Sequence, residues 1–225
     1  MTDILVSFQR LSRSFVLDGE SVDALVEATG EIKRGDHIAI MGPSGSGKST
    51  LLALMAKLDE PTDGSISWPA FANTKGLRPR HIGLAFQSPS LIPSLTVAEN
   101  VEVPLLILGE IIGKSERALA ALESVGLAAL ANRLPEELSG GQAQRIGVAR
   151  ALVTNPDLIL ADEPTGQLDQ VTGTLLISAL LAHAERTGAA IVVATHDPGV
   201  ASRLKDVWQT SHGRLIAAQR EKVSA

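Results

Sequence analysis

The chain has 225 residues, enough for one α/β domain with a large core, and carries a formal net charge of −5. With no basic run, that charge argues against a nucleic-acid partner, and apolar runs broken by Glu102, Pro104, Gly109 and Glu110 argue against a membrane span. The lack of cysteine excludes disulfides and thiolate metal sites, and the acidic start Met1-Thr2-Asp3 lacks the basic and apolar regions of a secretory signal.

Residues 4–8, 14–17 and 22–32 read as strands, with turns at Asp18-Gly19 and Arg34-Gly35-Asp36, giving a mostly antiparallel opening. The apolar run Ile38-Ala39-Ile40-Met41 then enters Gly42-Pro43-Ser44-Gly45-Ser46-Gly47-Lys48-Ser49-Thr50, followed by a helical Leu51-Leu52-Ala53-Leu54-Met55. This is the G-x-x-x-x-G-K-[ST] phosphate loop: glycines let successive N–H groups point inward, and the next helix adds its positive end. Lys48 would reach the β- and γ-phosphates of a nucleotide, and Ser49 would ligate Mg²⁺. Given such a site, Phe15 either stacks on the base or belongs to the core.

Beyond the loop, residues 61–64 form a turn, 65–68 a short strand, 69–80 a polar loop and 82–86 another strand. That strand delivers Gln87, whose amide oxygen either meets Mg²⁺ or a water or is simply solvated. Residues 88–94 form a loop with Pro89 and Pro93. Helices are expected at 97–108, broken at Pro104, and at 115–125, with Ala118, Leu119, Leu122 and Val125 on one face. Leu91, Ile92 and Leu95 are spaced to present an apolar patch, which makes residues 87–100 the expected contact with a partner unless the three simply pack on the core beneath a rigid loop.

Leu138-Ser139-Gly140-Gly141-Gln142 opens a helix that runs through Ala143 to Val153. Ser139 either caps it, or it and the two glycines admit an anion to the helix start. The strand Asp157-Leu158-Ile159-Leu160-Ala161 ends in Asp162 and Glu163, at the carboxyl edge where a parallel sheet binds its ligand. Either Asp162 holds Mg²⁺ through water and Glu163 orients or deprotonates an attacking water, or the two form a solvated turn with Pro164. After a helix to Arg186, the strand at 189–194 ends at Thr195-His196-Asp197, so His196 emerges from the same edge. It either donates to a γ-phosphate oxygen or caps the next helix. Strands at 207–210 and 214–217 turn at His212-Gly213, and residues 219–225 read as frayed.

Together these residues resemble, over nearly the whole chain, the nucleotide-binding subunit of ABC transporters. Gly42 to Thr50 is similar to Walker A, Leu158 to Glu163 to Walker B, Gln87 to the Q-loop glutamine, and Leu138 to Gln142 to the LSGGQ signature. Gly166-Gln167-Leu168-Asp169 resembles the D-loop, and His196 the switch histidine. Ala161-Asp162-Glu163-Pro164-Thr165-Gly166 and Leu95-Thr96-Val97-Ala98-Glu99-Asn100-Val101 are most like the lipoprotein-release and macrolide-export group.

The resemblance implies an α/β P-loop ATPase core with an antiparallel β-subdomain and a helical subdomain at roughly 88–155 that carries the signature. It also implies ATP and Mg²⁺ as cofactors, Phe15 stacking on adenine, and Gln87 as a metal ligand. Two copies would pack head to tail, Ser139, Gly140, Gly141 and Gln142 closing on the γ-phosphate held by the other copy. A separate membrane permease, at the cytoplasmic face of the cell membrane, would use the motion for export or extrusion. A second expectation is a regulatory ATPase that signals through a membrane protein without moving solute. DNA-repair and translation ATPases of this kind carry long insertions or two cassettes, and a GTPase needs an N-K-x-D motif that Asn73-Thr74-Lys75-Gly76 does not supply.

Overall fold

The computed structural model describes residues 3–17, 19–71 and 76–216. Met1 and Thr2, Asp18 of the first expected turn, Asn73 to Lys75, Ala217 of the last expected strand and the expected frayed tail at 219–225 lie outside the described residues.

The opening is a three-stranded antiparallel sheet in the order β2-β1-β4, formed by β1 (Ile4–Leu17), β2 (Glu20–Lys33) and β4 (Asp63–Ser67). Where two strands were expected at 4–8 and 14–17, β1 runs unbroken, because the chain shifts register between Phe8 and Leu11 and again around Arg13. The shift is accommodated by Arg10 at φ +46°, and Gly64 of β4 crosses so close to the Arg10 carbonyl that any Cβ would collide with it.

A second sheet has the order β5-β6-β7-β3-β8-β9. Its strands are β3 (His37–Met41), β5 (Ile82–Ala85), β6 (Leu158–Asp162), β7 (Ala190–Thr195), β8 (Asp206–Ser211) and β9 (Arg214–Ile216). All neighbours are parallel except β8 and β9, which form the hairpin expected at His212-Gly213. The central strands are unbroken apolar runs because both of their faces are covered. Period-two alternation sends Ile159, Ala161, Ile191 and Val193 into one core, and Leu158, Leu160, Val192 and Ala194 into the other.

The helices are α1 (Lys48–Met55), α2 (Leu77–Arg80), α3 (Val97–Ile107), α4 (Lys114–Ser124), α5 (Gly140–Leu152), α6 (Gln170–Thr187) and α7 (Pro198–Ala201). α3, α4 and α5 pack on one another. α2 occupies the end of the stretch expected to be loop, anchored by the buried Leu77. The expected break at Pro104 does not occur. The proline costs α3 a single donor, its ring is buried, and Leu108 N still donates to the Pro104 carbonyl at 3.2 Å. On α4, Ala118 and Leu122 point inward with Val125 just beyond, while Leu119 is 44% exposed and lies off that face.

Asn100 of α3 is fully buried, and its amide bonds Ile92 N, Ile92 O, Leu95 O and Thr96 O at 2.7 to 3.1 Å. It pins the loop before the helix, and Leu91 packs against the core. The apolar patch expected from Leu91, Ile92 and Leu95 is therefore reduced to an exposed Ile92 with Leu95 partly covered.

Candidate functional site

Sheet register sets the site. Met41 of β3 is level with Thr195 of β7, Ala194 with Asp162 of β6, and Ala161 with Ala85 of β5. Because the four strands are parallel, the residues that follow each of them, Gly42, His196, Glu163 and the Phe86-Gln87 pair, leave one edge of the sheet together.

The phosphate loop needs its glycines for stated reasons. A Cβ on Gly42 would strike Thr210 and Ser46, and one on Gly47 would strike the Ala24 carbonyl of β2. Gly45 and Gly47 also adopt φ of +78° and +96°, and Gly47 is the N-cap of α1. Thr210 of β8 braces the curl: its hydroxyl donates to the Met41 carbonyl at 3.0 Å and accepts from the Ser46 hydroxyl at 2.8 Å. Pro43, Ser44 and Gly45 stay exposed at the mouth. Lys48 is 7% exposed, its ammonium donating to the Gly42 and Pro43 carbonyls at 2.8 and 3.1 Å and lying 3.8 Å from a Glu163 carboxylate oxygen.

Glu163 holds φ of +46°, a left-handed backbone that costs a non-glycine residue roughly 1 to 3 kcal/mol. Its N–H donates to the Ala194 carbonyl at 2.9 Å, and its own carbonyl accepts from Gly166 N at 3.1 Å and Gln144 Nε2 at 3.4 Å. This conformation turns the carboxylate toward His196, whose Nδ1 lies 3.0 Å from both oxygens. His196 does not cap α7. That role belongs to Asp197, which accepts from Gly199 N at 2.7 Å, and the imidazole is left exposed at the edge. The carboxylate and the imidazole thus meet directly at the sheet edge.

Asp162 is half-buried, and burial raises its carboxyl above the usual range; the Ser49 hydroxyl bonded to it and the Lys48 charge oppose this, and the Glu163 charge adds to it. Its Oδ1 is buried without a partner. An orphaned carboxylate oxygen bonded through its partner atom to a hydroxyl suits a small, hard cation. Among the described residues no cluster of three or more His, Cys, Asp or Glu surrounds it. Gln87 is exposed just beyond β5, next to β6.

The ABC transporter family profile matches residues 25–166. The chain belongs to the ABC transporter ATP-binding family. It is 38% identical to the lipoprotein-releasing system ATP-binding protein LolD of Legionella pneumophila (strain Lens), over 97% of this chain and 100% of that one. It is 39% identical to the macrolide export ATP-binding/permease protein MacB of Rhodopseudomonas palustris (strain HaA2), over 96% of this chain and 34% of MacB. Among solved structures it resembles the dimer of the ATP-binding cassette MJ0796 bound to ADP and Pi, with a TM-score of 0.90, 36% identity, and coverage of 98% and 100%. The cassette is an ATP-binding ATPase with the α/β core of its family. No helix among the described residues is long and apolar enough to cross a membrane.

The ABC signature opens the helix α5, whose Gln144 reaches the Glu163 carbonyl. Ser139 caps α5, accepting from Gln142 N at 3.2 Å while Gln142 Oε1 accepts from Ser139 N at 2.9 Å. A Cβ on Gly140 or Gly141 would press on Gln167 or Leu168, so the signature lies against the Gly166 to Asp169 segment. Ser139 and Gly140 remain exposed. Phe15 sits on β1, paired with Val22 of the β2 strand whose Ala24 touches the phosphate loop. It is half-buried, with the Arg13 guanidinium 4.5 Å from its ring centre. The structure brings Lys48, Ser49, Asp162, Glu163 and His196 together. Sequence reasoning missed Thr210 and Gln144.

Proposed function

We propose that two copies of this cassette close head to tail around two ATP and drive a separate membrane permease engaged in export or extrusion from the envelope. One observation carries the dimer. Lys48, Asp162, Glu163 and His196 converge at one sheet edge, while Ser139 and Gly140 at the start of the signature helix stay exposed beside Gln167. A second copy supplies what each edge lacks, and the MJ0796 cassette is dimeric with ADP and Pi.

In this reading Lys48 and the amides of residues 42–50 hold the β- and γ-phosphates, and Phe15 stacks on the adenine. Ser49, Asp162 and Gln87 hold Mg²⁺, which when bound offsets charge on the phosphates. Ser139, Gly140, Gly141 and Gln142 of the second copy close on the γ-phosphate. Glu163 orients a water and takes its proton as the oxygen attacks phosphorus, and the bond to the β-phosphate oxygen breaks to release ADP. His196 stabilises charge on the γ-phosphate, but its Nδ1 already faces Glu163, so this donation falls to Nε2 or to a turned ring.

The permease is supported by the relatives: LolD is named for lipoprotein release, and MacB joins ATP-binding and permease in a chain of which this one spans 34%. The contact would lie at the face of the membrane next to the permease. It is supported by a groove of about 210 Å³ lined by Phe86, Val103, Pro104, Ile107 and Arg150 beside Gln87.

Glu163→Gln tests the core of this reading. We expect steady-state hydrolysis to fall by at least about 10²-fold while ATP binding persists, so that an ATP-bound dimer accumulates in light scattering. Near-normal turnover in this variant would remove Glu163 from the reaction.

A further inference from the structure

The signature helix is tied to the glutamate of its own chain. Gln144 lies in the second turn of α5 and is 2% exposed, with Nε2 donating to the Glu163 carbonyl at 3.4 Å. Its Oε1 is buried without a partner. A buried amide satisfied at one end only is a poor stabiliser of a core, where an apolar side chain of equal size would do better. The feature is better explained by the carbonyl it reaches, which belongs to the left-handed backbone of Glu163.

Farther along α5, Arg150 donates to the Pro89 and Ser90 carbonyls at 2.5 and 3.1 Å, and Gly147 lets Pro89 approach where a Cβ would meet it at 3.2 Å. One helix therefore carries Ser139 at its start, grips Glu163 one turn later, and grips the loop after Gln87 near its end. Any rotation of α5 moves all three.

We propose that Gln144 is a positioning residue that couples the placement of the signature helix to the backbone of Glu163, so that the carboxylate is in its hydrolytic pose only when α5 is seated against β6. This rests on the reading of Glu163 as general base. Closure of a second copy on Ser139 is then transmitted within the same chain, along one turn of helix, to the base that serves its own nucleotide. The proposal separates binding from turnover. Loss of the amide leaves the phosphate loop untouched and relaxes only the carboxylate.

The test compares Gln144→Met, which keeps the volume and removes the amide, with Gln144→Glu, which keeps the shape and can donate only when protonated. We expect Gln144→Met to lower kcat about tenfold while KM for ATP and the ATP-driven dimer change by less than about twofold. In Gln144→Glu the ratio of kcat to that of the parent should fall as pH rises and the acid ionises, with a midpoint above the ordinary carboxylate value because burial beside the Glu163 carbonyl favours the donating acid form. Should the methionine variant not fold, the pH ratio in the glutamate variant decides alone. An unchanged kcat in Gln144→Met, or a flat ratio in Gln144→Glu, overturns the coupling. Glu163→Gln is assayed beside them: if it turns over normally, the base reading fails and takes the coupling with it, whereas an inert Glu163→Gln beside a normal Gln144→Met removes Gln144 alone.

Discussion

Phe15 is flanked on one face by the Arg13 guanidinium, itself held by Asp59 at 2.8 Å, so a base would stack on the other. Phe15→Ala should weaken nucleotide binding by roughly 1 to 3 kcal/mol, equally for ATP and GTP, since stacking reads a ring face and little else. Calorimetric titration of both nucleotides would measure it, and an unchanged affinity would return Phe15 to the core. At this scale the sequence shows residues whose chemistry is local. The glycines and Lys48 of the loop, the Asp162-Glu163 pair and His196 are legible because each follows a short apolar run that can only be a strand. Thr210 and Gln144 are not, since their partners lie far along the chain: Ser46 is 164 residues from Thr210, and Glu163 is 19 from Gln144. Nothing in a threonine on a late strand announces that it braces a loop near the start.

Among the elements, the groove between β5 and α3 is where apolar surface stays open. Phe86 is 43% and Ile107 68% exposed, and Ile111 and Ile112, shortly after α3, are exposed as well. The sequence placed this surface at residues 87–100, because Leu91, Ile92 and Leu95 look unpartnered until Asn100 draws the loop onto α3. A buried asparagine with four hydrogen bonds cannot be told from a solvated one by pattern. The same limit hid the continuity of α3 through Pro104 and of β1 through its register shifts, both of which depend on packing from outside the segment. Replacing Phe86 and Ile107 with Ser should leave the isolated ATPase folded and active, because neither residue enters a core, while abolishing co-purification with the membrane partner. Retention of the partner and of its stimulation would place the contact elsewhere.

For the molecule as a whole, a buried histidine and a partly buried carboxylate contribute to its response to acid. Burial, and then the Arg186 charge, hold the His183 imidazole down to about 4. Between its ordinary value of 6.5 and that value, the unfolded chain binds a proton that the folded chain refuses, so stability falls as pH drops through this window. The loss is on the order of 3 kcal/mol. Asp157 acts lower: burial would raise its carboxyl, but hydrogen bonds from His81 and Arg34 and their charges outweigh it and hold it down. Its contribution is kept above the ordinary carboxylate value and lost below it. His183→Leu should lessen the fall in urea-unfolding stability over the upper window, the remainder coming from His37, whose imidazole burial also holds down, and a slope equal to the parent's would show that His183 is not a sensor. The level strand ends have a different consequence, for the reading of damaged genes. Dropping one residue from the middle of β7 would retract His196 by about 3.3 Å and turn it to the opposite side of the sheet, with the strand still apolar throughout. A lesion in the greasy interior would then be scored, in any assay of turnover, as the loss of a reactive group it never touched.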